Sequence, residues 1–384
     1  MNFRSFCFTA AALGLSVLPS FGEDFFFHTH HIVIPRPRAE PNASVPPSTA
    51  ITPTQMREVY GFSQIANQGQ GQIIALVDAY DDPDAESDLG VFSTQYGLPS
   101  CTTANGCFKK IYAAGRKPTG NTSWGQEISL DVQWAHAIAP QAKIYLVEAA
   151  TSSSTNLYKA VDVAVANGAT VVSMSFGSGE SAGETSTDSH FNVAGVTFVA
   201  SAGDSNHGVE YPAASPYVIG VGGTSLTQAN GVWESEKVWN TSRTEGTGGG
   251  VSVYETEPAY QRPFQSMGMR GIPDLAYDAD PNTGVAIYDS YGGYKWVQIG
   301  GTSMGSPEIA AAIAIVKSSR AAAGKGVLQF PAAVYDYTAD YHDITVGNNG
   351  TCGVVCDAEP GYDFTTGVGT PIANVLIPAL VALP

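Results

Sequence analysis

The sequence predicts an α/β fold with a mostly parallel central sheet. From about residue 51 onward, short apolar runs alternate with segments of helical spacing, the pattern of successive βαβ units. Several of those runs end in an acid or a glycine turn, where open parallel sheets bind ligands beyond the carboxyl ends of their strands. The 384 residues, 43% of them hydrophobic, supply material for one large domain or two ordinary ones.

In chain order, GQIIALVDAY (71–80) reads as a buried strand that delivers Asp78 to the sheet rim. EISLDVQWAHAIA (127–139) has helical spacing, and AKIYLVEA (142–149) is a strand. NLYKAVDVAVANGA (156–169) is a helix closed by Gly168. ATVVSMSFG and VTFVASAGD (196–204) are two further strands, the second carrying Asp204 at its end. GTSMGSPEIAAAIAIVKSSRAAAG (301–324) is a long Ala-rich helix that stops at Gly324. No internal repeat or coiled-coil heptad interrupts the series.

Residues 1–22 read as a secretory signal: a basic MNFR start, an apolar stretch too short to span a membrane, and a small-residue end. A secreted, extracellular chain is therefore expected. Cys7 would leave with the signal, and Cys101, Cys107, Cys352 and Cys356 then form two local disulfides or stay as four thiols; secretion favours the disulfides. Residues 23–50, rich in Pro, His and Ser, read as a flexible lead-in without a folded prodomain, for which the span is too short. His28, His30 and His31 are expected to be solvated there rather than to bind metal. Residues 51–384 form the main domain. The balance of 18 basic against 35 acidic residues argues against nucleic acid as a partner. Asn42, Asn121, Asn240 and Asn349 lie in N-x-S/T sequons.

The candidate chemistry starts at GGTSMGSP (300–307). Ser303 opens a helix, where free N–H groups can face developing negative charge, and Pro307 is placed in the first turn. On local sequence it is equally a nucleophile or a helix cap. A serine nucleophile needs a base. Seven histidines are present, but no GHGTH-like stretch, and His136 sits toward the C-terminal end of its helix. Glu127 sits at the N-terminal end, and Asp131 one turn later shares its face about 6 Å away; His136 points oppositely, about 13.5 Å along. Such a pair is commonly a solvated acidic face, but the flanking apolar residues argue for burial. Asp204 is either a turn-forming Asx residue or, when protonated, a donor to an oxyanion.

Taken in order, these segments resemble the sedolisin (serine-carboxyl peptidase) family. The resemblance spans most of 51–373 through LVDAYDDPD (76–84), QEISLDVQWAHAIAP (126–140), VVSMSFG (171–177), SAGDSN (201–206), GGGVSVYETEPAYQ (248–261), RGIPDLAYDADPNTG (270–284), GGTSMGSP and GYDFTTGVGTP (361–371). It implies a subtilisin-like three-layer fold and a secreted, acid-active endopeptidase working on protein or peptide substrates through an acyl-enzyme. Ser303 would be the nucleophile, Glu127 the general base, Asp131 its orienting partner and Asp204 the oxyanion donor, with Asp78 structural. It also implies one structural calcium, held by the side chains of Asp343 and Asp363 and the carbonyls of Ile344, Glu359 and Gly361, where Glu359 replaces a more usual glycine. Two ordinary turn aspartates are the alternative. VVSMSFG and GGGVSVY would line the cleft. The family normally carries a long prosegment, so a separate pro-segment or inhibitor is a possible partner; a monomer is expected. The alternatives are a neutral subtilisin-like peptidase using His136 and a catalytically inactive secreted binding protein on the same scaffold.

Overall fold

The computed structural model describes residues 24–34 and 44–384. The signal reading, Cys7 and Asn42 lie outside them. Two short strands, β1 (His28–Thr29) and β2 (Ile32–Val33), open the described chain. The strands β3 (Ile73–Ala79), β4 (Phe108–Tyr112), β5 (Lys143–Ala149), β6 (Val171–Met174), β7 (Phe176–Gly179), β8 (Thr197–Ser201), β9 (Glu210–Tyr211), β10 (Val218–Ala229) and β11 (Val232–Val238) follow. The helices are α1 (Pro53–Val59), α2 (Ala85–Tyr96), α3 (Thr122–Ile138), α4 (Ser154–Ala166), α5 (Thr302–Ala322) and α6 (Ala373–Ala382).

The main sheet runs β11-β10-β8-β6-β3-β5-β4, with Leu275–Asp278 also paired to β10. Every pairing in it is parallel except the β10–β11 hairpin. That hairpin turns on Asn230 and Gly231, both at positive φ (51° and 81°), the conformation that matches strand twist in a two-residue turn. Residues alternate between faces along β3. Ile74 and Leu76 join the core that holds Ile128, Trp134, Met304 and Ile309 of α3 and α5. Ala75 and Val77 join the second core, with Leu157 and Val161 of α4. Helices on both faces of one parallel sheet give the three-layer α/β fold that was expected.

The predicted elements appear with shifts of a few residues at their ends, except that ATVVSMSFG, read as one strand, breaks at Ser175 into β6 of the main sheet and β7 of a smaller one; Gly168 and Gly324 stand at positive φ just past α4 and α5. Both local disulfides, Cys101–Cys107 and Cys352–Cys356, are present. Asn349 is buried, and its amide donates to the Thr247 carbonyl at 3.1 Å, so the fold hides that sequon.

The lead-in departs from the flexible tail that composition suggested. Residues 24–34 lie docked along the domain. β1 pairs antiparallel with β7, and β2 pairs antiparallel with Lys295–Gly300. Phe27 donates its N–H to Ser152 O at 2.8 Å and packs its ring on Phe176 and Tyr158. Backbone pairing and a buried aromatic anchor supply what a Pro-, His- and Ser-rich composition does not advertise.

Candidate active site

α3 brings the first two acids together. Its N-cap Asn121 accepts the N–H groups of Ser123 (3.0 Å) and Trp124 (3.1 Å), which fixes where the helix begins. The helix is then buried almost throughout, so Glu127 and Asp131 are no solvated face: both are 0% exposed. Asp78, at the end of β3, is equally buried. Burial, reinforced by the Glu127 carboxyl, holds Asp78 protonated well above the usual carboxylate range. Burial, then Asp78 and Glu127, do the same to Asp131, although Ser175 Oγ donates to its Oδ1 at 2.7 Å. Both oxygens of Asp78, Oε1 of Glu127 and Oδ2 of Asp131 have no hydrogen-bond partner among the described residues.

α5 supplies Ser303. Gly301, at φ +106°, makes the turn into the helix, and no side chain caps it. Ser303 is thus not the cap: its Oγ donates instead to the Ser175 carbonyl at 3.2 Å. Pro307 falls at the sixth helical position rather than in the first turn. The carbonyl its missing N–H leaves free is that of Ser303, which accepts a long bond from Ser175 Oγ (3.4 Å). Asp204, just beyond β8, accepts the Thr302 N–H and O–H on Oδ1, each at 2.8 Å. Its Oδ2 is buried without a partner among the described residues. Burial raises the Asp204 carboxyl to about 6 against the pull of His30 and the Thr302 donors.

The docked segment ties these groups to two adjacent residues. The Ser303 N–H donates to the His30 carbonyl at 3.0 Å. Asp204 Oδ2 and that same carbonyl crowd the position that a Cβ on Gly301 would take. The next residue, His31, sets Nδ1 2.6 Å from Glu127 Oε2. Burial would lower the His31 pKa, but the Glu127 carboxylate outweighs it and the net shift is upward. Consecutive Cα atoms are about 3.8 Å apart, so Ser303 and Glu127 face adjacent residues of one chain. His30 and His31, expected in solvent, are buried in the site. The signal that could have found them is the FFF…HIVI apolar frame around HTHH, which reads as strand once period two is tried. Ser175 and Thr302 were also missed, since a lone Ser or Thr carries no motif.

The remaining candidates lie elsewhere. His136 is buried at the far end of α3 with Nε2 2.8 Å from the Pro99 carbonyl, beside the Cys101–Cys107 disulfide, and touches neither Ser303 nor Asp78. β7 takes up the docked segment as expected of VVSMSFG, whereas Gly250–Thr256 pairs with Met269–Ile272. In the C-terminal loops, Asp343 accepts the Gly361 N–H (3.2 and 3.0 Å), and Asp363 Oδ2 accepts the Glu359 N–H (3.2 Å). Two carboxylates thus converge on residues 359–361. The carbonyls of Ile344, Glu359 and Gly361 accept no hydrogen bond from the described residues. That all-oxygen donor set from two short loops fits calcium.

Comparison with known proteins bears on the whole arrangement. The Subtilase family model matches residues 113–330. Kumamolisin from Bacillus sp. (strain MN-32) is 33% identical over 87% of this chain and 64% of its own. Sedolisin from Pseudomonas sp. (strain 101) is 34% identical over 74% and 53%. The chain therefore spans roughly half to two thirds of the length of these relatives. The solved Pseudomonas sedolisin, a serine-carboxyl proteinase complexed with pseudo-iodotyrostatin, superposes with a TM-score of 0.77 at 29% identity, covering 86% of this chain and 97% of that one. Glu127, Asp131, Asp204 and Ser303 lie within the matched span, and the chain belongs to the subtilase family, in its sedolisin branch.

Proposed function

We propose that the protein is a secreted, acid-active serine-carboxyl endopeptidase. The observation that carries this reading is two adjacent residues held at once, His30 by its carbonyl on the Ser303 N–H and His31 by its ring on the Glu127 carboxyl. A substrate there would meet Ser303 Oγ as nucleophile, with Glu127 taking its proton. The tetrahedral oxyanion would be held by the Ser303 N–H and the O–H of neutral Asp204. Collapse breaks the C–N bond, Glu127 returns its proton to the departing amine, and an acyl-serine remains. Water then attacks the ester, Glu127 again accepting a proton, and Ser303 leaves with its hydrogen restored. Asp131, kept protonated by its surroundings, is a positioning residue for Glu127. An Asp204 carboxyl near 6 is neutral, and able to donate, only in acid.

Endo-action rather than removal of short N-terminal peptides fits the cleft. The docked chain continues past the third residue before the His30 carbonyl, to Phe27 and Phe25, with bonds to Ser152 and Ser154. No helix among the described residues is long and apolar enough to cross a membrane. Calcium, when bound, would tie the two C-terminal loops through Asp343, Asp363 and the carbonyls of 344, 359 and 361; a chelator should lower the melting temperature.

The test is hydrolysis of denatured casein from about pH 2 to about pH 8, with Ser303→Ala alongside. A maximum near pH 3–5, roughly where a free carboxylate base and a neutral Asp204 coexist, is expected. An alkaline maximum, or full activity in Ser303→Ala, would overturn the reading.

A further inference from the structure

The residue whose carbonyl meets Ser303 is a histidine, and its side chain has a pocket of its own. The His30 ring is 1% exposed. Its Nδ1 lies 2.7 Å from Ser201 Oγ and its Nε2 2.8 Å from Glu210 Oε2. The last residue of β8 and the first of β9 thus supply one partner each. Two glycines shape the remaining wall. A Cβ on Gly177 would come within 3.0 Å of His30 Nε2, and one on Gly203 within 2.9 Å of Glu210 Oε1. The space admits an imidazole because neither wall carries a side chain.

The polar partners decide what else could fill it. An aliphatic side chain there would leave the Ser201 hydroxyl unpaired and the buried Glu210 carboxylate with only its longer contact to His28, which is how a hydrogen-bonding pocket rejects an apolar substitute. Charge points the same way. The groups that favour the ring's charged form are Glu210 and, more weakly, Asp204 and Glu127, all acidic; of the bases nearby, His28 sets Nε2 3.5 Å from Glu210 Oε2, and His31 faces Glu127. Although burial opposes it, His30 and His28 hold the Glu210 carboxyl well below the usual range, so it stays ionised in acid.

We infer that Glu210 and Ser201 make the site select histidine as the residue on the acyl side of the cleaved bond. The inference rests on the peptidase reading above and adds its substrate class: peptides with histidine immediately before the scissile bond. In this chain the His30–His31 bond has that sequence.

Two octapeptides test it on the full chain at about pH 4, followed by mass spectrometry: FHTHHIVI, which copies residues 27–34, and the same peptide with leucine at its fourth position. The histidine peptide should be cut between its adjacent histidines with kcat/KM about ten- to a hundredfold above the leucine peptide. Glu210→Gln should shrink that ratio to within about threefold. Ser201→Ala should shrink it less, and keeps the test alive if Glu210→Gln does not fold. Equal rates on the two peptides, or an unchanged ratio in both variants, overturn the inference while casein hydrolysis leaves the peptidase reading standing. Cleavage of neither peptide nor casein removes both.

Discussion

Two sets of buried acids in this molecule solve the same problem in opposite ways. Asp274 and Arg270 are both fully buried and paired at 2.9 and 2.5 Å, and Asp274 also accepts from the Gly220 N–H and the Tyr335 hydroxyl, each at 2.8 Å. Both carboxylate oxygens there have donors. At the carboxyl end of the sheet, Asp78, Glu127 and Asp131 are just as buried but have neither Lys nor Arg beside them. The unpaired oxygens of Asp78 and Asp131 are tolerated because protons neutralise those two carboxyls, while Glu127 faces the His31 ring. The first set is a rivet. The second is a proton store whose charge can change, which a structural site avoids and a catalytic one requires.

Exchanging charge in each region should separate them. Glu127→Gln leaves volume unchanged and removes the proposed base, so kcat/KM at acid pH should fall on the order of 10³–10⁴-fold, with the melting temperature held or raised. Arg270→Met should do the reverse: it strands a buried carboxylate and cost about 3–5 kcal/mol of stability, measured by denaturant titration. Asp78→Asn, made in a cluster already protonated, should cost under about 1 kcal/mol. A large loss of stability at Asp78 together with a small one at Arg270 would break the comparison.

Asp204 offers a finer cut. Asp204→Ala should lose about 10²–10³-fold in rate at acid pH. Asp204→Asn keeps a donor at every pH, so the alkaline limb that begins near 6 should move upward. A limb unmoved in Asp204→Asn would assign that titration to another group.

Much of this was legible in the residues themselves. The βαβ alternation fixed the sheet, and the four-residue step from Glu127 to Asp131 placed two carboxyls on one helical face before any coordinates. Burial of that face followed from its apolar flanks. What composition concealed was long-range. His30 and His31 lie 96 to 180 residues from the partners that bury them, Glu127, Ser201 and Glu210. Backbone pairing of β1 and β2 with distant strands, not local propensity, orders them. Likewise Pro307 reads as a first-turn residue until the helix start is known, and its effect on the Ser303 carbonyl depends on Ser175, 128 residues away.

The smallest expected effect is on stability against pH, and its sign follows from the same contrast. Burial raises Asp82 to about 7, Glu184 to about 8 and Glu255 to about 7. In the unfolded chain these titrate near 4. A group whose folded pKa is raised binds its proton more tightly in the native state, so its stabilisation is complete below about pH 4 and is lost as pH climbs through 7 to 8. His30 and His31, also raised by their carboxylate partners, act in the same direction, since losing the imidazolium proton weakens the docked segment. Glu210, shifted down, works oppositely and only in stronger acid. Denaturant stability of Ser303→Ala, chosen to prevent self-digestion, should therefore fall by on the order of a few kcal/mol between about pH 4 and pH 8. A rise over that interval would mean that these buried carboxyls are held as anions, and the protonation of Asp78 and Asp131, which rests on the same effect of burial, would have to be abandoned.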